Sequence, residues 1–231
     1  MNEWLTFSLI LLGIWLVVFL FSGKSKKEML WASILTAPFG LTEPLFVPEY
    51  WNPPSLFNLA ATTGFDIESL IFSFGIGGIG VVLYELFFSV KHHKMSKHEI
   101  HSGKHKWHLF ALLSGPITFI LLYFIISINP IYSASIAMFV GGISAGICRP
   151  DLKKKIFIGG ILFLTLYFLF FLSFNLIYPS AVEQFWNLSA ISGILFLGIP
   201  VEELIFAFSF GLMWSGVYEH ITKYKIKKKN D

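Results

Sequence analysis

Seven runs of apolar residues, at roughly 4–22, 29–47, 66–89, 108–128, 131–148, 156–178 and 200–222, are separated by polar stretches rich in lysine, glycine or proline. Each approaches the ~20 residues that an α-helix needs to cross ~30 Å of hydrocarbon. The pattern predicts seven transmembrane helices.

Charge gives those helices a direction. Lys24, Lys26 and Lys27 follow the first run, and Lys91, Lys94, Lys97, Lys104 and Lys106 follow the third. Arg149, Lys153, Lys154 and Lys155 follow the fifth, and Lys223, Lys225, Lys227, Lys228 and Lys229 form the tail. With seven crossings, all 17 basic residues fall on one side. The positive-inside rule then places the N-terminus outside and the C-terminus in the cytoplasm of a multi-pass cell-membrane protein. No lysine is expected within a span. The first run is read as a retained helix, because Glu3 precedes it, lysines follow it and no small-x-small cleavage site is present.

Composition agrees with this reading: 231 residues that are 55% apolar, 18% aromatic and 13% charged carry too little polar surface for a soluble domain. The net charge of +3 follows from the sidedness of the loops, so no nucleic-acid partner is expected. The single cysteine, Cys148, excludes an internal disulfide framework.

The chain also repeats. Shifted by 134 residues, Glu68, Leu70, Ile71, Phe72, Phe74, Gly77, Tyr84 and Glu85 match Glu202, Leu204, Ile205, Phe206, Phe208, Gly211, Tyr218 and Glu219 without a gap. One further residue of offset matches Trp51-Asn52 to Trp186-Asn187 and Pro44 to Pro179. The expected fold is therefore an all-α polytopic membrane protein of two parallel three-helix repeats, 1–92 and 129–231. Segment 93–128, a basic His-rich loop and a connecting helix, joins them. Parallel repeats commonly share a site at their interface. The glycines at 75, 77, 78 and 80 predict close helix contact.

The non-basic side collects Glu43, Glu49, Asp66, Glu68, Glu183, Glu202 and Glu203 together with two aromatic loops. Glu49 and Glu183 read as solvated surface. Glu43, Glu68, Glu202 and Glu203 are set among apolar residues, where a carboxylate is costly enough to point to function. Pro200 suits the first helical turn, and Glu202 and Glu203 then follow about 100° apart around the axis, so one can face the bundle while the other faces a neighbour or water. Glu85 and Glu219 lie about 25 Å further along their helices and are expected to partner lysines.

His92, His93, His98, His101, His105 and His108 cluster between the third and fourth runs. The spacing of His101, His105 and His108 is compatible with metal ligation. A single cluster interleaved with lysines reads better as a lipid-facing basic segment, so no metal is expected. A retinal-type Schiff base, an intramembrane protease and a nucleotide-binding loop all lack their required residues.

Gly198-Ile-Pro-Val-Glu-Glu-Leu-Ile-Phe resembles the Pro-x-Glu-Glu signature of the membrane lycopene cyclase domain family, and the triplet-linker-triplet plan resembles its fused form. The first half departs from it, with Asp66-Ile-Glu-Ser in the equivalent place. The resemblance implies acid-base cyclisation of the end of a linear carotenoid. An acid protonates the terminal double bond, the carbocation closes a ring, and a base removes a proton, with no cofactor. It implies Glu202 as proton donor or acceptor, Glu203 and Glu68 as partners and Glu43 in the same cluster. Phe72, Phe206 and Trp214 are candidate faces for the cation. The implied partners are a hydrophobic polyene and the lipid bilayer, and homo-oligomerisation is left open. A reading from another class is a non-enzymatic transporter or apolar-ligand carrier on the same helix plan.

Overall fold

A computed structural model describes residues 2–88, 90–100 and 107–228. Its main helices are α1 (Glu3–Phe21), α2 (Lys26–Thr36), the short α3 (Leu59–Thr63), α4 (Ile67–Phe87) and the short α5 (Lys97–Ile100). They continue with α6 (His108–Ile120), α7 (Pro130–Cys148), α8 (Lys153–Ile177), the short α9 (Ala181–Phe185), α10 (Val201–Trp214) and α11 (Val217–Thr222).

The starts of the long helices follow from their capping residues. Asn2 Oδ1 accepts from the Leu5 N–H at 2.6 Å, and Asp66 Oδ1 accepts from the Ser69 N–H at 2.5 Å. Each satisfies a donor that the first turn leaves unpaired. At α7, Pro130 occupies the first turn and Asn129 Oδ1 accepts from the Ile131 N–H.

Among the described residues, six helical segments are long and apolar enough to cross a membrane: Glu3–Phe21, Ile67–Phe87, His108–Ile125, Pro130–Cys148, Pro150–Ile177 and Val201–Thr222. The expected span at 29–47 is not one of them. There α2 ends at Thr36, and Ala37–Leu45 continues as a 3₁₀ helix containing Pro38 and Pro44. Proline lacks the N–H that an α-helix needs and clashes with the preceding turn, so the chain winds more tightly. Gly40 sets where this segment lies: a Cβ there would sit 2.6 Å from the backbone of Ser69 and Leu70, so only glycine lets it press onto the start of α4. Gly77 similarly sits against Thr36, as the small-residue stripe predicts.

The all-α expectation is corrected in one respect. Strand β1 (Val90–Lys94) pairs antiparallel with β4 (Tyr224–Lys228), and β2 (Leu195–Phe196) with β3 (Ile199–Pro200). These short ribbons lie outside the six spans, the first in the basic segments and the second in the apolar turn before α10.

Helix α4 packs against α1 and α2, and α10 packs against α8 and α7. The two groups meet where α4 touches α8 and α10, while α6 lies on α7. Aromatic rings fill the centre, with Phe7 4.3 Å from Phe170 and 4.6 Å from Phe174 between ring centroids. Large apolar side chains such as Leu20, Phe124, Ile147 and Leu176 remain exposed on the outside. That is the reverse of a soluble surface and fits lipid contact.

The bundle has two chemically distinct ends. At one, Trp51 and Trp186 form an antiparallel backbone bridge between the two aromatic loops. At the other, Lys155 reaches Glu85 at 2.5 Å, Glu219 at 2.6 Å and Glu28 at 3.4 Å. This corrects the expectation that no lysine lies within a span: Lys155 belongs to α8 and is fully buried. Three carboxylates from three helices compensate the charge that would otherwise exclude it. Glu85 and Glu219 thus pair with lysine as expected, inside the bundle.

Candidate active site

The site forms where α10 begins. Gly198 takes a left-handed φ of +78°, turning the chain from β2 into β3, and Pro200 immediately precedes the first helical residue. Pro200 therefore stands one residue before the turn in which the sequence places it. Glu202 and Glu203 both lie in the first turn, and their different directions around the axis give them different neighbours.

Glu203 points into the bundle. Its Oε1 accepts from the Tyr50 hydroxyl at 2.6 Å and the Trp186 indole N–H at 2.9 Å, and its Oε2 accepts from the Tyr167 hydroxyl at 2.7 Å. These donors come from the first aromatic loop, the second aromatic loop and α8. Burial pushes the Tyr50 phenol well above its usual range, and the adjacent Glu203 adds to the shift, so Tyr50 keeps its proton and donates.

Glu202 turns sideways, where its Oε1 accepts from the Tyr132 hydroxyl at 2.6 Å and the Ser192 N–H at 3.0 Å. These bonds tie α10 to α7 and to the loop before β2. Glu68 is fully buried, and its Oε1 accepts from the Leu56 N–H at 2.7 Å and from Asn2 Nδ2 at 3.1 Å. Glu43 is held on the 3₁₀ segment, 8% exposed, and its buried Oε1 has no hydrogen-bond partner among the described residues.

A cavity of about 390 Å³ opens between the two groups of helices. Glu43 and Glu203 line it; Glu68 and Glu202 do not. The site residues expected from sequence are therefore divided, with two carboxylates on the cavity wall and two bracing the segments behind it. Phe72, Phe206 and Trp214 all line the cavity, alongside Trp4, Phe7, Phe210 and Tyr167. Phe206, Phe210 and Trp214, one turn apart on α10, stack at 6.0 and 5.3 Å with interplanar angles of 20° and 16°. The arrangement offers two carboxyl groups and several ring faces to one apolar molecule.

Sequence reasoning missed Tyr50, Tyr132 and Tyr167 as site residues. Tyr50 and Trp186 carried a signal, since both lie in the repeated aromatic loops. Tyr167 lies in the middle of an aromatic-rich span and carries none.

The histidines of the connecting loop do not form one cluster among the described residues. His92 Nε2 lies 2.8 Å from Glu219, whereas the His108 ring lies 4.5 Å from that of His220. His101 and His105 lie outside the described residues.

Apolar membrane-length helices surrounding an aromatic cavity with two carboxyl groups define a polytopic membrane protein with an apolar, carboxyl-bearing interior. A family model described as Lycopene cyclase matches residues 2–87 and 129–221, and the chain belongs to that family. The membership supports a carotenoid cyclase-like function and a carotenoid substrate. No curated protein and no solved structure matches the chain.

Proposed function

We propose that the chain isomerises the end of a linear carotenoid into a ring, with Glu43 and Glu203 as the acid-base pair. The observation that carries this reading is that these two carboxyl groups share one aromatic cavity. Glu203 already accepts three hydrogen bonds, from two phenols and an indole N–H, and is assigned the part of the carboxylate. Glu43, with an oxygen that has no partner among the described residues, is the proton donor.

In the proposed step, Glu43 gives its proton to the terminal double bond and leaves a tertiary carbocation. The electron pair of a second double bond attacks that carbon and forms the ring. A ring proton then passes to a carboxylate, restoring a double bond and conserving the formula. The faces of Phe72, Phe206 and Trp214 and the charge of Glu203 stabilise the cation. Glu202 and Glu68 act from behind the wall by fixing the start of α10 and of α4.

The membrane plan belongs to the same proposal. At 1.5 Å per α-helical and 2.0 Å per 3₁₀ residue, segment 26–45 extends about 34 Å, enough to cross ~30 Å of hydrocarbon. Counted this way the chain crosses seven times, with the acidic end outside and the basic end in the cytoplasm. The two triplets, 1–92 and 129–231, are joined by 93–128. The matching placement of α4 and α10 against their neighbours, and the family match in two segments, support this plan.

Expression in a lycopene-accumulating membrane tests the function, with products separated by chromatography. Cyclic carotene with the mass of its precursor is the expected result. Unchanged lycopene from well-folded protein would remove the cyclase reading, and unchanged lycopene retained on the purified protein would favour a carrier.

A further inference from the structure

At the basic end, three residues distant in sequence converge. His108 is the first residue of α6, Cys148 the last of α7, and His220 lies in α11. One ligand-type atom from each lies within 4.8 Å of the other two. The two imidazole rings are perpendicular, 4.5 Å apart, and Cys148 and His220 are 3% and 2% exposed. The site is separate from the cavity carboxyl groups: His220 lies seventeen residues beyond Glu203, in α11, past the end of α10, and none of the three residues lines the cavity.

We propose that His108, Cys148 and His220 bind a thiophilic d¹⁰ metal ion, Zn²⁺ or Cu⁺, which fastens α6 to the rest of the bundle. Two imidazoles and a thiolate are a soft donor set, suited to these ions and poorly suited to Mg²⁺ or Ca²⁺. Zinc bonds of about 2.0 Å to nitrogen and 2.3 Å to sulfur place tetrahedral ligand atoms about 3.3–3.6 Å apart. Closing from no more than 4.8 Å takes side-chain adjustment without rebuilding the helices. On binding, the Cys148 thiol loses its proton to solvent and its sulfur electron pair forms the metal bond. The neighbouring Arg149 guanidinium is engaged by Asp151 and by the carbonyls of Glu219 and Tyr224.

Helix α6 packs mainly on α7 among the long helices named above. It buries only Ala111, Ser114 and Gly115, and leaves Leu109, Phe110, Leu113, Ile117 and Ile120 on the outside. These small residues seat α6 on α7, and the metal would add a tie from its first residue to α11. His108 also lies outside both segments matched by the family, whereas Cys148 and His220 lie inside the second. The metal would join the connecting helix to the cyclase-like half.

The full chain purified in detergent without chelator should carry about one zinc or copper per chain by mass spectrometry. Cys148→Ser and His220→Ala should each lower that content at least tenfold while leaving cyclic-carotene formation intact. Substitution with Co²⁺ should give a thiolate-to-metal charge-transfer band that Cys148→Ser abolishes. Cys148→His, which keeps three ligands, should retain the metal and lose the band. Copper with the same ligand dependence supports the site and assigns the ion. Folded wild-type protein that takes up none of Zn²⁺, Cu⁺ or Co²⁺, or uptake indifferent to Cys148→Ser and His220→Ala, overturns it.

Discussion

The indole N–H of Trp186 donates to Glu203 Oε1 at 2.9 Å, and the Tyr50 hydroxyl, 3.1 Å from the same nitrogen, donates to the same oxygen. One residue from each repeated aromatic loop thus holds a single carboxylate at the cavity wall. A hydrogen bond to a charged group contributes about 1.5–3 kcal/mol. Trp186→Phe, which keeps the ring and removes the donor, should slow cyclisation by roughly ten- to a hundredfold. Initial rates of cyclic-carotene formation at matched protein levels check this; an unaltered rate would remove the indole from the site.

Glu202 and Glu203 are adjacent in sequence and differ in what they face. Glu203→Gln places an amide among three donors and removes the charge facing the cation, so activity should fall on the order of a hundredfold or more. Glu202→Gln keeps an oxygen to accept from Tyr132 and the Ser192 N–H, and should retain most activity. The reverse order of severity would return the main role to Glu202, as the sequence signature implies.

Glu43→Gln should abolish cyclisation with little change in folding, because the amide keeps the size of the side chain and an oxygen to face Ser69 and Trp51. Retention of lycopene by the inactive protein, measured after extraction of washed membranes, separates lost chemistry from lost binding.

Gly40→Ala should act on the same carboxyl group from a distance. The added Cβ would meet backbone atoms of Ser69 and Leu70 at 2.6 Å, so the 3₁₀ segment must lift from α4 and carry Glu43 with it. Overpacking of this kind costs about 1–3 kcal/mol. Gly13→Ala is the control, since nothing lies within 4 Å of a Cβ there. Thermal unfolding in detergent should fall for the first alone, together with cyclase rate.

What the sequence revealed was set by how local each signal is. Hydrophobic run length is local, so six spans were legible from the chain, although the start of α8 was set just past Lys155. The second span was mistaken for a regular helix because its apolar length conceals what Pro38 and Pro44 do to the winding. Glu43, Glu203, Phe72, Phe206 and Trp214 were nameable as site candidates from repeat and motif. Their division from Glu68 and Glu202 was not, since it depends on rotation about α4 and α10 and on how the two groups of helices dock. Tyr167, Lys155 and the convergence of His108 with Cys148 and His220 are purely tertiary, and no spacing in the chain announces them.

Lys155 gives the sharpest separation of stability from chemistry. Glu85, Glu219 and Glu28 surround its Nζ within 3.4 Å, and the lysine is fully buried. Lys155→Met would leave three carboxylates in a low-dielectric interior without their shared cation, at a cost of about 3–5 kcal/mol. Adding Glu85→Gln and Glu219→Gln removes two of the uncompensated charges and should recover a large part of that loss. Both variants leave the cavity end untouched, so the folded fraction should cyclise at the wild-type rate. Thermal unfolding in detergent and activity per folded protein measure the two effects separately. Equal stability of Lys155→Met and wild type would show that the charges at this end are already neutralised by water or protons.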